Sequence, residues 1–143
     1  MKISTRGRYG VTALYALALH NGEGAIPLKV IAESQGIPET YLEQLMGTLR
    51  HAGFVKSIRG AQGGYMLAKS PNEITIAHII EAMEGPIALV DCLLTSADDE
   101  EQFCEKASDC ATRVVWEKVC NSISDVLNAI TLADLCKNGK RYA

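Results

Sequence analysis

A chain of 143 residues, 48% hydrophobic and 22% charged with 12 Gly and 4 Pro, can hold one compact core with an extension; it is too short for two independent domains and too apolar for a disordered or fibrous protein. The formal net charge of −3 conceals a split: residues 1–70 carry eight Lys/Arg against four Glu, a balance of +4, whereas residues 71–143 carry six against thirteen Asp/Glu, a balance of −7. No apolar run reaches the roughly 18 residues of a membrane span, and the start MKISTRGRYG lacks the apolar stretch of a secretory signal, so no membrane partner and a cytoplasmic location are expected. In a reducing compartment the five cysteines then point to metal or redox chemistry rather than structural disulfides.

The elements follow in order. Residues 9–20, YGVTALYALALH, are apolar with small residues interleaved and predict a well-buried helix ending before Asn21-Gly22. Pro27 stands where a first turn tolerates it, and LKVIAESQGI predicts a second short helix with Leu28, Ile31 and Ala32 on one face and Gly36 as its stop. Pro38 opens a third, ETYLEQLMGTLRHAGF, with Tyr41, Leu42, Leu45 and Leu49 at helical spacing. FVKSI and GYMLA then predict two short strands joined by Arg59-Gly60-Ala61-Gln62-Gly63, a loop whose glycines permit positive φ. TIAHIIEAME predicts a fourth helix, N-capped by Thr75 and terminated by Gly85-Pro86. Between Asp91 and Asp109 seven acidic residues and one Lys occur without periodicity, which predicts an exposed loop. A long helix resumes near Ala111, with Val115 or Trp116, Val119, Ile123, Val126, Leu127 and Ile130 assigned to one side. The expected class is mainly α with a small β-hairpin: a winged helix-turn-helix over 1–85, a cysteine-bearing acidic loop over 86–110, and a dimerisation helix with a C-terminal segment over 111–143.

A helix-turn-helix requires a small residue where its two helices cross, a Gly at the turn and apolar residues holding the second helix. Counting from Leu28, Ala32 is fifth, Gly36 ninth, Leu42 fifteenth and Leu45 eighteenth. With the apolar residues turned inward, the outer face of the third helix presents Glu39, Thr40, Glu43, Gln44, Thr48 and Arg50. Gln44 can bond adenine N6 and N7, Glu43 can accept from cytosine N4 while repelling phosphate, and Thr40 or Arg50 can hold phosphates or base edges. In the wing, Arg59 and Gln62 stand among glycines that let the backbone approach a phosphate or minor groove, and Lys2, Arg6, Arg8 and Lys56 add sequence-independent attraction. The competing reading is an ordinary αα-hairpin with a solvated face. An enzyme would need a convergent nucleophile, base and orienting group, and no G-x-S-x-G, phosphate loop or paired acid/base motif is present.

Cys92, Cys104 and Cys110 precede the long helix. Their spacing lacks the C-x2-C knuckle of a zinc site, and three thiolates leave a ligand missing. A polar, acidic loop is nevertheless not where packing cysteines normally lie. Cys120 and Cys136, in or near helices, read as packing residues; Trp116 reads first as a packing anchor.

The strings MKISTRGRYGVTALYALAL and LKVIAESQGIPETYLEQLMGTLRHAGFVKSIRGAQGGYMLAKSP resemble the winged-helix regulators of the IscR/NsrR/CymR family, with YLEQL and RGAQGGY the specific parts. The resemblance continues through NEITIAHIIEAMEGP and NAITLADL. It implies a homodimer on double-stranded DNA, with recognition helices in successive major grooves, wings in adjacent minor grooves and a pseudo-palindromic operator. It also implies that Cys92, Cys104 and Cys110 hold an iron-sulfur cluster, [2Fe-2S] ranked ahead of [4Fe-4S]. The cluster regulators typically carry His three residues after the third Cys, where this chain has Arg113, which has no lone pair to donate. The fourth ligand is open between Asp91, Glu105, Asp109, Glu43 and an exogenous thiol or water. The alternative is a cluster-free repressor of sulfur or cysteine metabolism, controlled by a protein partner or thiol oxidation.

Overall fold

The computed structural model describes residues 2–88 and 111–142; Cys92, Cys104 and Cys110 lie outside them, as does the expected acidic loop. Among the described residues the chain runs α1 (Thr5–Leu19), α2 (Leu28–Gln35), α3 (Glu39–His51), β1 (Val55–Ile58), β2 (Gly64–Leu67), a 3-10 turn at Pro71–Glu73, α4 (Ile76–Glu84), α5 (Ala111–Ala129) and α6 (Leu132–Tyr142).

Local chemistry sets most boundaries. α1 starts a turn earlier than its apolar periodicity indicates, because Ser4 caps it: the Ser4 hydroxyl accepts from the Gly7 N–H at 3.1 Å. Gly36, at φ 65°, ends α2 in the left-handed conformation that costs glycine little. Thr75 caps α4 by accepting from His78 N–H at 3.2 Å.

One cluster of apolar side chains holds these pieces together. Leu14 and Leu17 from α1, Ile31 from α2, Leu42, Leu45, Met46 and Leu49 from α3, Leu67 from β2 and Ile79 from α4 all pack in it. Burying one such side chain is worth about 1.5–3 kcal/mol, so the inner face of α3 is the strongest restraint on that helix. Met46 belongs to this face although the sequence pattern named only its neighbours.

α1 packs against both α3 and α4. Toward α4 it presents Gly7 and Gly10, and both glycines are needed for the closeness of the crossing. A Cβ on Gly10 would stand 2.9 Å from Met83 Cγ, and one on Gly7 would collide with the Glu84 carboxylate. That carboxylate accepts from both the backbone N–H and the hydroxyl of Ser4, which ties the cap of α1 to the end of α4.

The hairpin pairs Val55 with Leu67 through Ile58 with Gly64. Ile26, just before α2, adds a bridge to β2: its N–H donates to Tyr65 O at 2.9 Å and its carbonyl accepts from Tyr65 N–H at 2.8 Å. Gly64, at φ 153°, sits against that carbonyl, where any side chain would collide.

The segment after α5 returns to the core as a helix, α6. Thr131 and Asp134 form a reciprocal capping box: Thr131 N–H donates to Asp134 Oδ2 at 3.0 Å and Asp134 N–H to Thr131 Oγ1 at 3.2 Å. Hydrogen bonds to Thr131, with Lys137 nearby, hold the Asp134 carboxyl below its ordinary pKa. Ile76 N–H donates to Ile130 O and Leu132 N–H to Ile74 O, at 2.9 and 3.0 Å, and Leu132 is fully buried in the common core.

α5 is different. Of the apolar residues assigned to one side, Leu127 and Ile130 pack on the core, whereas Val115, Trp116, Val119 and Val126 are exposed, as is Val114. Cys120 is buried, and Cys136 is partly buried against the core. No helix among the described residues is long and apolar enough to cross a membrane.

Candidate nucleic-acid interface

α3 is amphipathic with a sharp division. Leu42, Leu45, Met46 and Leu49 are at most 1% exposed, while Glu39, Thr40, Glu43, Gln44 and Arg50 are exposed. A helix held by four buried side chains cannot roll without opening the core, so its outer face has a fixed orientation. At about 100° per residue, Thr40, Gln44, Gly47 and His51 run along the middle of this face. Thr48 then lies about 80° to one side of Thr40, and Arg50 about 80° to the other. His51, exposed in the last turn, shares the face with the expected reading residues, although its residue type and spacing indicated only a position in a helix.

The N-terminal arm meets one edge of this face. Exposed Arg6, in the first turn of α1, donates from Nη2 to Thr48 Oγ1 at 2.9 Å, and the Thr48 hydroxyl makes a long 3.4 Å contact with the Gln44 carbonyl. One turn further along α1, the Tyr9 ring packs edge-on against Tyr41, centroids 5.7 Å apart. Sequence reasoning grouped Arg6 with general phosphate attraction and Thr48 with the outer face, but did not join them, because 42 residues separate them.

The wing places Arg59 and Gln62 exposed at the tip of the hairpin. Its turn closes with Gly63 N–H donating to Gly60 O at 3.0 Å, and Gly60 takes φ 112°. A side chain at Gly63 would collide with the Ile58 carbonyl, so the backbone is bare at this end. Lys56, on β1, is also exposed.

Of the ligand candidates, only Glu43 lies within the described residues, and among these no group of three or more His, Cys, Asp or Glu gathers as a metal site. Arg113, in the first turn of α5, holds its Nε 3.2 Å from Glu117 Oε1. It is a guanidinium engaged with a carboxylate at the position where the resemblance calls for an imidazole.

A buried-faced α3 with a polar outer side, followed by a hairpin, is the geometry of a winged helix-turn-helix. The sequence model described as "Rrf2: Iron-dependent Transcriptional regulator" matches residues 3–138. The chain belongs to the Rrf2 family. It is 47% identical over 135 residues to the HTH-type transcriptional regulator CymR of Bacillus subtilis, covering 94% of this chain and 89% of the relative. To the HTH-type transcriptional regulator IscR of Pectobacterium carotovorum it is 41% identical over 138 residues, covering 96% and 80%. The solved structure of B. subtilis CymR superposes with a TM-score of 0.79 at 43% identity, over 96% of this chain and 98% of that one. That of T. potens IscR gives 0.77 at 48% identity, over 97% and 88%. These relatives are regulators rather than enzymes, and this Rrf2 chain is likewise a DNA-binding transcription regulator.

Proposed function

We propose that this Rrf2 regulator acts in the cytoplasm as a homodimer on a pseudo-palindromic operator, and that an iron-sulfur cluster at Cys92, Cys104 and Cys110 sets its affinity. The observation that carries the DNA-reading part is the division of α3, with buried leucines beneath exposed Thr40, Glu43, Gln44 and Arg50. Gln44 and Glu43 discriminate bases in the major groove, Thr40 and Arg50 hold base edges or phosphates, and Arg59 and Gln62 enter the minor groove from the wing. Arg6 adds a phosphate contact. The dimer rests on the valines of α5: exposed apolar side chains along a helix this regular are covered by a second copy, which spaces the two α3 helices along the duplex.

The cluster part rests on donor chemistry. Three thiolates are the soft ligands that iron clusters take, and similarity to IscR supports a cluster, [2Fe-2S] ahead of [4Fe-4S]. Arg113 supplies no fourth ligand, which leaves that place to a carboxylate or an exogenous donor. A cluster bound there would make affinity respond to iron supply and oxidation. The 47% identity to CymR, described with its solved structure as "the Global Cysteine Regulator of B. subtilis", favours a second reading in which the chain represses sulfur or cysteine genes without a cluster.

One preparation separates the two. Anaerobically purified protein is analysed for visible absorption, iron and acid-labile sulfide, then used with its chelator-treated form to select duplexes from a random library. The cluster reading expects colour, iron with sulfide, and operators whose affinity differs between the two forms. Colourless, iron-free protein with one affinity in both forms sinks it in favour of the cluster-free repressor.

A further inference from the structure

The hydrogen bond from Arg6 to Thr48 joins two residues with no shared element and no shared motif. We propose that Thr48 is a positioning residue: its hydroxyl holds the Arg6 guanidinium at the edge of α3 so that Arg6 grips a DNA phosphate. This rests on α3 being the helix that enters the major groove.

Three observations support the assignment. Arg6 is exposed, and its bond to Thr48 uses one of the five N–H donors of a guanidinium. Thr48 is half-buried at the edge of the outer face, and its hydroxyl, accepting from Arg6 while facing the Gln44 carbonyl, has little freedom to turn elsewhere. The first turn that carries Arg6 is itself fixed, by the Ser4 cap and by Glu84 accepting twice from Ser4. An arginine side chain loses much rotamer freedom when it is immobilised. Thr48 takes up part of that ordering before DNA arrives, which is the logic of preorganisation.

The placement also has a symmetry that a groove-reading helix uses. Arg50 and the Arg6–Thr48 pair lie about 80° to either side of Thr40 around the axis of α3. A major groove is walled by two phosphate backbones, one on each side of an inserted helix. Guanidinium groups on both edges of the face meet both walls, while Thr40 and Gln44 face the bases between them. Glu43, on the Arg50 edge, keeps that side selective.

A phosphate contact has a signature that base reading and mere structural support lack. Losing it lowers the slope of log affinity against log salt by about 0.9 per contact and weakens binding to all sequences alike. The test uses the full-length protein with two duplexes: one enriched from a random library by the wild type, and a scrambled one of the same composition. Affinity is measured by fluorescence anisotropy across a salt series, with thermal unfolding as a check on folding. Arg6→Ala is expected to weaken both duplexes several-fold, lower the salt slope by about 0.9 per bound protomer and leave their affinity ratio unchanged. Thr48→Val is expected to produce part of the same effect, Thr48→Ser to restore it, and Thr48→Val to add nothing in the Arg6→Ala background.

An unchanged salt slope in Arg6→Ala, or additive effects of the two substitutions, overturns the proposal. A fall in the affinity ratio with Thr48→Val also overturns it, because Thr48 would then be touching bases itself. The reading of α3 is tested apart by Gln44→Ala, which lowers the ratio and leaves the slope. If it leaves the ratio unchanged, α3 is not the base reader, while the salt slope of Arg6→Ala still decides the phosphate contact.

Discussion

The winged-helix part and α5 bury their apolar residues in opposite ways. From α1 through α4 almost every large apolar side chain has its partner within the same chain, and Leu14, Leu42, Met46, Leu49 and Ile79 are fully covered. α5 is longer than any of those helices and regularly amphipathic, yet Cys120 is its one buried residue, and Val115 and Val126 are 51% and 59% exposed. The difference teaches which properties belong to one chain and which to an assembly. The orientation of α3 is an internal property of the protomer; in the proposed dimer, the spacing between two copies of α3 would depend on what covers α5.

That contrast can be broken most forcefully at its internal end. Leu45→Ala removes a side chain 1% exposed beneath the outer face of α3, and is expected to cost about 2–5 kcal/mol, read as a lowered midpoint in chemical denaturation. DNA affinity falls with it, because the helix loses the restraint on its rotation. Val119→Asp attacks the other end. A carboxylate buried without a partner opposes association strongly, so the dimer constant measured by sedimentation is expected to weaken by more than about tenfold. The far-ultraviolet circular dichroism of the protomer stays helical; if dimerisation is unchanged, the exposed side of α5 is not the dimer surface.

A smaller effect is expected at Gly64, where φ is 153° and the Ile26 carbonyl occupies the place of a side chain. Gly64→Ala should cost about 1–3 kcal/mol and reduce the contribution of the wing to affinity more than that of α3. Amide exchange along Ile26 and Tyr65 reports whether the bridge has opened. The smallest effect involves Asp134, whose folded pKa is depressed by its hydrogen bonds to Thr131. A depressed carboxylate contributes stability at pH values above its unfolded pKa, and that contribution is lost as pH falls through the folded value. Asp134→Ala should therefore lower the melting temperature slightly at neutral pH and converge with the wild type in acid. A constant difference across that range would mean that the capping box acts through something other than the carboxylate charge.

The candidate site was legible where its parts are local. The alternation of leucines with Thr40, Glu43 and Gln44 is a pattern within thirteen residues, and the glycines of the wing announce a tight turn within five. Arg6 was visible only as a positive charge, since nothing in its own neighbourhood indicates that Thr48 will stand beside it. Which part of the apolar side of α5 meets the core was hidden for a related reason. Periodicity registers that Val119 and Leu127 are both apolar, but which of them is covered emerges only once the core is packed.

By itself the sequence determined the helices from α1 to α4, the hairpin, the stops at Gly36 and Gly85 and the Thr75 cap, because each depends on residues within a turn or two of one another. Tertiary structure decided the bridge from Ile26 to β2, the return of α6 through Ile130 and Leu132, the Ser4–Glu84 tie and the Arg6–Thr48 bond. Those contacts span tens of residues and follow from which faces the core leaves adjacent, a consequence of close packing that no local period encodes.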